Sequence, residues 1–170
     1  MCGRYRLSRR KQLIAEYFET DNEVDWEPRY NIAPSQPVGM IRQDPARPQR
    51  QFSLARWGLI PSWASDASIG FKTINARAET VASKPAFRDA FMSRRCLLPA
   101  DGFFEWRRSG KEKQPFHFGM QDDCLFAFAW LWIEAWSTGT RADRCRVAAH
   151  RSEVPNECDS ICLDVIGKDD

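Results

Sequence analysis

Arg95-Cys96-Leu97-Leu98-Pro99-Ala100-Asp101-Gly102-Phe103-Phe104-Glu105-Trp106 is the stretch at which the chain turns to β structure. From Cys96 onward four runs are rich in the residues that favour strands: Cys96–Pro99, Gly102–Arg107, Phe116–Met120 and Leu125–Trp132. Arg108-Ser109-Gly110-Lys111 forms a hairpin loop between the second and the third. Residues 137–144 read as a polar loop and 145–149 as one more strand, while 151–170 show no sustained apolar period. Working back towards the N-terminus, residues 38–41 and 52–59 are strand candidates, and 60–72 is a loop. Residues 20–29 are acidic and loop-like, and Pro34, Pro37, Pro45 and Pro48 punctuate residues 30–50. Ser8 is positioned to cap a helix over 9–19, with Leu13, Ile14, Tyr17 and Phe18 on one apolar face. A second helix is expected over 84–94, with Ser83 as cap and Pro85 in its first turn. The pattern predicts an α+β fold, mostly β, with short helices on a curved, barrel-like sheet.

The 170 residues fit one domain, expected to span 1–170. Hydrophobic residues at 43% and charged residues at 28% exclude a coiled coil, a collagenous repeat and bulk disorder. No stretch approaches the about 20 apolar residues of a membrane helix, and Met1-Cys2-Gly3-Arg4-Tyr5-Arg6 lacks a signal-peptide core. A cytoplasmic protein with no membrane association is the expectation. Cys2, Cys96, Cys124, Cys145, Cys158 and Cys162 show no C-x-x-C and no metal-ligand spacing, so they read as free thiols. Neither a metal nor a cofactor is expected. The net charge of +2 is unevenly spread: residues 1–120 carry 20 Lys and Arg against 13 Asp and Glu, and 121–170 carry 5 against 10. A basic body with an acidic end suits a phosphate-facing surface, the alternative being a solvated surface with an acidic tail.

Cys2 stands where removal of the initiator methionine exposes an α-amine and a thiol on adjacent carbons. The α-amine, with pKa about 7.7–8.0 against about 10.4 for lysine, is much more often an unprotonated nucleophile at neutral pH. The pair can condense with an aldehyde as an imine and close to a thiazolidine ring, which no internal residue can do. The alternative is an incidental cysteine behind the start codon.

Asn75 and Arg77 lie two apart in Ile74-Asn75-Ala76-Arg77-Ala78-Glu79-Thr80 and, if extended, face the same side. An amide and a guanidinium there suit a sugar oxygen and a phosphate, against the alternative of a turn Asn and a surface Arg. Asp101-Gly102-Phe103-Phe104-Glu105-Trp106 sets one carboxylate among three aromatics. Sunk among those rings, Glu105 has its pKa raised by desolvation, as a proton donor needs; at a strand edge it is an ordinary exposed glutamate. Trp106 is either core or a stacking platform for a base, and Asp101 serves the turn at Gly102. Two loops, Tyr30-Asn31-Ile32-Ala33-Pro34-Ser35-Gln36 and Trp57-Gly58-Leu59-Ile60-Pro61-Ser62-Trp63, carry prolines and aromatics able to wedge beside unstacked bases, although Trp57 reads as core. His117 and His150 have no partner at meaningful spacing.

Cys2-Gly3-Arg4-Tyr5, Tyr30–Pro34, Trp57–Trp63, Ile74–Thr80 and Arg95–Trp106, in this order, resemble the SRAP family, the SOS response-associated peptidases or abasic-site processing proteins. Gln114-Pro115-Phe116 and Phe126-Ala127-Phe128-Ala129 look like it too, so the resemblance covers about residues 1–136. It implies a mixed fold around a barrel-like core. It implies also a binder of single-stranded DNA that links covalently, as a thiazolidine, to the aldehyde of an abasic site and cleaves off its own first residue; a monomer is the expectation. By position, Cys2 is the nucleophile, and Asn75 and Glu105 line the reaction site. Arg4 and Arg77 match phosphate-contacting positions, and Pro34, Trp63 and Trp106 match positions that wedge and stack against DNA.

Two departures stand out. The family's His-Asp-Arg-Met-Pro motif is absent, and His150, followed by Arg151-Ser152-Glu153, does not take its role. The chain therefore reads as shortened or divergent after about residue 136. Trp130 stands where the family has a small residue, and must displace core volume or point outward. The competing functions are an N-terminal-nucleophile amidohydrolase of the glutamine amidotransferase kind, which also begins Met-Cys-Gly, and a non-catalytic single-stranded DNA-binding module.

Overall fold

A ring of strands built around the apolar run of residues 95–100 organises the protein. The structure is a computed structural model that describes residues 3–21, 25–43, 46 and 48–134, and the backbone of 145–150. Its order is β1 (Arg4–Leu7), α1 (Lys11–Phe18), β2 (Arg29–Ile32), β3 (Pro37–Gln43), β4 (Arg50–Trp57), a 3-10 helix (Ala67–Phe71) and β5 (Asn75–Ala76). Next come α2 (Ala78–Val81), α3 (Arg88–Ser93), β6 (Arg95–Ala100), β7 (Gly102–Ser109), β8 (Glu112–Phe118), β9 (Phe126–Glu134) and β10 (Cys145–His150). The larger sheet runs β4-β3-β6-β9-β10-β5, and a further pairing of β10 with β4 closes it on itself. The smaller sheet is four-stranded, β2-β1-β7-β8. The expected curved, barrel-like sheet is present, and among the described residues no helix is long and apolar enough to cross a membrane.

Burial on both sides of β6 and β9 explains their unbroken apolar runs. One side of β9 packs into the main core, with Trp130 against Trp57 at 5.1 Å between ring centroids. Leu131 and Ile133 on the other side meet Leu59, Ala76, Val81, Phe87 and Ala90, so the α2–α3 segment covers the outside of the ring. Trp130 therefore takes up core volume rather than pointing outward: it is 2% exposed, and its indole N–H has no partner among the described residues.

The helices are shorter than the sequence predicts. Helix α1 starts at Lys11, with Arg10 as its N-cap and no side-chain cap; the Ser8 hydroxyl is committed to Asp101 instead. Ile14 and Phe18 are buried, whereas Leu13 and Tyr17 stay exposed, so only half of the expected apolar face meets the core. The helix expected over 84–94 is reduced to α3, which starts only at Arg88, and the short α2 lies before the expected span. Ser83 donates back to Thr80 O instead of capping a helix, and a turn at Lys84–Phe87 precedes α3. The residue before a proline is pushed away from helical backbone, which keeps Lys84 out of the helix. Strand β8 starts four residues before the expected Phe116, because its hairpin with β7 pairs all the way to Ser109↔Glu112. The turn is shorter than the loop predicted over Arg108–Lys111: Arg108 and Ser109 belong to β7, which leaves Gly110, at φ 60°, and Lys111. Strands β1 and β2 carry no strand signal of their own; pairing of β1 between β2 and β7 creates them. The polar loop expected at 137–144 and the tail at 151–170 lie outside the described residues.

Candidate reaction site and nucleic-acid interface

Strand β1 runs antiparallel to both neighbours, with Tyr5 opposite Ile32 and Phe103, and Arg4 opposite Phe104. Its N-terminal end therefore meets the C-terminal end of β2, where the Pro34 turn begins, and the middle of β7, where Glu105 and Trp106 stand. Arg4 Nη1 donates to Asn31 Oδ1 at 3.0 Å, fixing the guanidinium along the sheet.

The Pro34 turn is in turn tied to the larger sheet. Ser35 adopts the left-handed conformation, with φ 65°. Its N–H donates to Trp57 O at 2.8 Å, and Arg56 Nη1 donates to Ser35 O at 3.1 Å. The Gln36 carboxamide accepts from Ala33 N–H at 3.1 Å, closing the turn. Trp57 then donates its indole N–H to Ile74 O at 2.8 Å, holding the residue before Asn75. Strand β10 binds the same end twice, with Val147 opposite Trp57 and Ala149 opposite Asn75. Tyr5 packs edge-on to Trp57 at 5.8 Å, which joins the two sheets through the core. One tryptophan, buried as the sequence suggests, thus couples the start of β1, the Pro34 turn and the Asn75 segment.

Asn75 is half-buried, Ala76 is buried, and Arg77 is exposed with extended backbone at φ −85° and ψ 134°. The alternation places Asn75 and Arg77 on one side, as their spacing predicts. Glu105 and Trp106 separate. Glu105 sits on the side of Phe103 and opposite Phe116; Phe104 and Trp106 turn to the other side. Glu105 is half-buried, so it is flanked by aromatics on one side only rather than enclosed by all three. Trp106 shares its side with Arg4, because Arg4 is opposite Phe104.

Trp63 occupies a different place. It is 59% exposed, its indole N–H reaches Pro85 O at 3.5 Å, and it lines a cavity of about 430 Å³ with Pro61, Pro85, Arg94 and Trp132. None of the other described candidate residues lines that cavity. Cys2 lies outside the described residues; it precedes Arg4 by two positions in the chain.

Asp101 corrects the sequence reading. It is 1% exposed and accepts from Arg6 Nε at 2.9 Å, from Ser8 N–H at 2.8 Å and from the Ser8 hydroxyl at 2.6 Å, with Arg9 Nε at 3.7 Å. It anchors the far end of β1 rather than serving the turn at Gly102. A lone Asp before a Gly carries the turn signal; nothing in the sequence marks Arg6 and Ser8 as its partners. Among the described residues no group of three or more His, Cys, Asp and Glu is placed to hold a metal ion.

A ring of strands that closes through the β10–β4 pairing, joined through Tyr5 and Trp57 to a second, four-stranded sheet, sets the fold class. The chain belongs to the SOS response associated peptidase (SRAP) family, whose model matches residues 1–155, beyond the limit of the motif resemblance near residue 136. It is 45% identical over 142 residues to the abasic site processing protein YoaM of Bacillus subtilis (strain 168), covering 81% of this chain and 61% of that protein. It is 35% identical over 122 residues to the abasic site processing protein YedK of Escherichia coli (strain K12), covering 68% of this chain and 52% of that protein. The chain thus spans about three fifths of the length of the first of these relatives, or less for the second. A solved protein from Bacteroides thetaiotaomicron shares the fold, with a TM-score of 0.77 at 24% identity over 88% of this chain and 67% of that one.

Proposed function

We propose that the chain binds single-stranded DNA and captures abasic sites by forming a thiazolidine at Cys2. The observation that carries this reading is the Trp57-centred hydrogen-bonded unit. It gathers the Pro34 turn and the Asn75–Arg77 segment at the end of the sheet where β1, two residues after Cys2, begins. The names of the relatives, abasic site processing proteins, support the same substrate.

The chemistry closes without a cofactor. Hydrolysis of the Met1–Cys2 peptide bond consumes one water and frees the α-amine. That amine adds to the aldehyde carbon of the ring-opened sugar, and loss of water gives the imine. The Cys2 thiol then adds to the imine carbon, its proton passing to nitrogen, so that aldehyde and aminothiol become thiazolidine plus one water. Glu105 supplies the proton to the departing hydroxyl, an assistance typically worth about 10²–10⁴-fold. Asn75 orients the sugar, and Arg4 and Arg77 hold phosphates. Pro34 and Trp106 wedge and stack against bases next to the lesion, and Trp63 does so further along the strand. The chain acts as a single domain and a monomer in the cytoplasm, and on the nucleoid if its host is bacterial.

The test is a denaturing gel of the protein mixed with single-stranded DNA bearing one abasic site. The wild type is expected to give a covalent adduct and Cys2→Ala none, with Glu105→Gln slowed while its DNA affinity is kept. A folded wild type that binds DNA and gives no adduct overturns capture and leaves the non-catalytic binding module.

A further inference from the structure

The outer side of the smaller sheet is a ladder of aromatic and cationic rungs that begins at Arg4 and Trp106, already read as DNA contacts, and runs on to side chains with no role so far. Strand register places Arg4, Phe104 and His117 in one row, Trp106 opposite Pro115 in the next, and Arg108 opposite Lys113 in the last. The sides are fixed by contacts as well as by alternation. Phe103 and Phe118 stack at 5.2 Å towards the core, while Phe104 packs on His117 at 5.2 Å on the other side. Gly102 makes this possible: a Cβ there would collide with the His117 imidazole, so the ring lies across the glycine on the outer side.

All of β8 is exposed, and so is β7 from Trp106 onward. Beyond the strand ladder, the side chains of Arg108 and Lys113 make no hydrogen bond or ion pair with a described residue. The hairpin's acidic residues, Glu105 and Glu112, both lie on the opposite side, Glu112 being paired with Ser109. The outer side thus combines ring faces with positive charge and no hairpin carboxylate. Rungs recur at every second residue, about 6.8 Å apart. That is twice the about 3.4 Å rise per nucleotide of a stacked strand, so a strand drawn out to that spacing offers one base per rung.

We propose that this side of the β7–β8 hairpin, continuing from Trp106 to Arg108 and Lys113, extends the binding path for single-stranded DNA and carries the strand away from the captured site. Phe104 with His117 and Trp106 with Pro115 form the stacking platforms, and Arg108 with Lys113 form a terminal phosphate clamp. The inference rests on the reading of the chain as a binder of single-stranded DNA, and it deepens that reading by assigning the path of the strand.

The experiment measures salt-dependent binding of undamaged single strands of about 16 nucleotides, a length within the range such surfaces cover. No adduct can form on this probe. The Arg108→Ala/Lys113→Ala double variant is compared with Arg107→Ala/Lys111→Ala, which removes equal charge from the opposite side and the turn of the same hairpin. The clamp variant is expected to lower the slope of log affinity against log salt by about 1.4, at about 0.7 for each phosphate no longer neutralised. The charge-matched variant is expected to change it by less than half of that. Equal effects of the two pairs, or no effect of the first, overturn the assignment of the path while leaving abasic capture standing. A wild type that binds no single strand overturns both readings.

Discussion

Replacing Asp101 tests how the N-terminal strand is held, and hence how the reactive end of the chain is presented. The carboxylate is 1% exposed and accepts three short hydrogen bonds, from Arg6 Nε, Ser8 N–H and the Ser8 hydroxyl. Hydrogen bonds to charged groups contribute about 1.5–3 kcal/mol each, and breaking one side of a buried pair costs about 3–5 kcal/mol. The side chains of Arg6 and Arg9 remain 24% and 32% exposed, so their charges reach water once the partner is gone. That places Asp101→Ala at the lower end, about 3 kcal/mol. At about 2–4 °C per kcal/mol for a chain of this size, melting falls by about 6–12 °C. Asp101→Asn removes the charge while keeping the volume, and its amide presents donors to donors, so it is expected to lose about 2 kcal/mol or more. Urea denaturation reads both as a lower midpoint at unchanged slope. A cycle with Arg6→Ala should return a coupling of about 1–3 kcal/mol. If Asp101→Asn stays within about 0.5 kcal/mol of wild type, as a plain surface change would, the buried anchor plays no part in stability and the reasoning fails.

Gly58 has φ 128°, and a Cβ there would stand 2.6 Å from Gly70 O, so Gly58→Ala should destabilise by at least about 1–3 kcal/mol in thermal melts, against the near-neutral result for a relaxed loop. Trp130→Ala should lose about 3–5 kcal/mol by cavity formation, whereas Trp130→Phe removes the unpartnered indole N–H and should lose clearly less; equal losses in denaturant would show that packing volume is not what matters. Arg77→Ala should flatten the salt dependence of single-strand binding by about 0.7, and no change in slope would make that arginine structural. The Ser68 hydroxyl and N–H bonds hold the Asp66 carboxyl below its usual 3.8. The cap it provides is therefore complete above that pH and lost as pH falls through the lowered value; a Ser68 amide resonance that does not move over that range in a pH titration would contradict this.

The strands buried on both sides, Arg95–Ala100 and Phe126–Glu134, are legible along the chain, because their apolar residues need no partner to be recognised. So are the hairpin turn at Gly110-Lys111 and the extended backbone from Asn75 to Arg77, since turn chemistry and a period of two are both local. Family membership was legible in the order of short motifs from Cys2 to Trp106. The remaining features depend on contacts between distant segments. Strand β1 has four residues, two of them arginines, and becomes a strand only between β2 and β7. Ser8 looked like a helix cap until Asp101, 93 residues away, took its hydroxyl. Glu105 and Trp106 are adjacent in sequence, yet the pleat sends them to opposite sides, and only the register with β1 and β8 says which side faces the core. Trp63 and Trp57 share one motif, but burial makes Trp57 the bond between two sheets and leaves Trp63 on the rim of a separate cavity. Local period and turn chemistry act over a few residues and can be read along the chain. Partner choice for a buried carboxylate or an indole N–H is settled by which groups the closed ring of strands brings within about 3 Å, and no single segment carries that information.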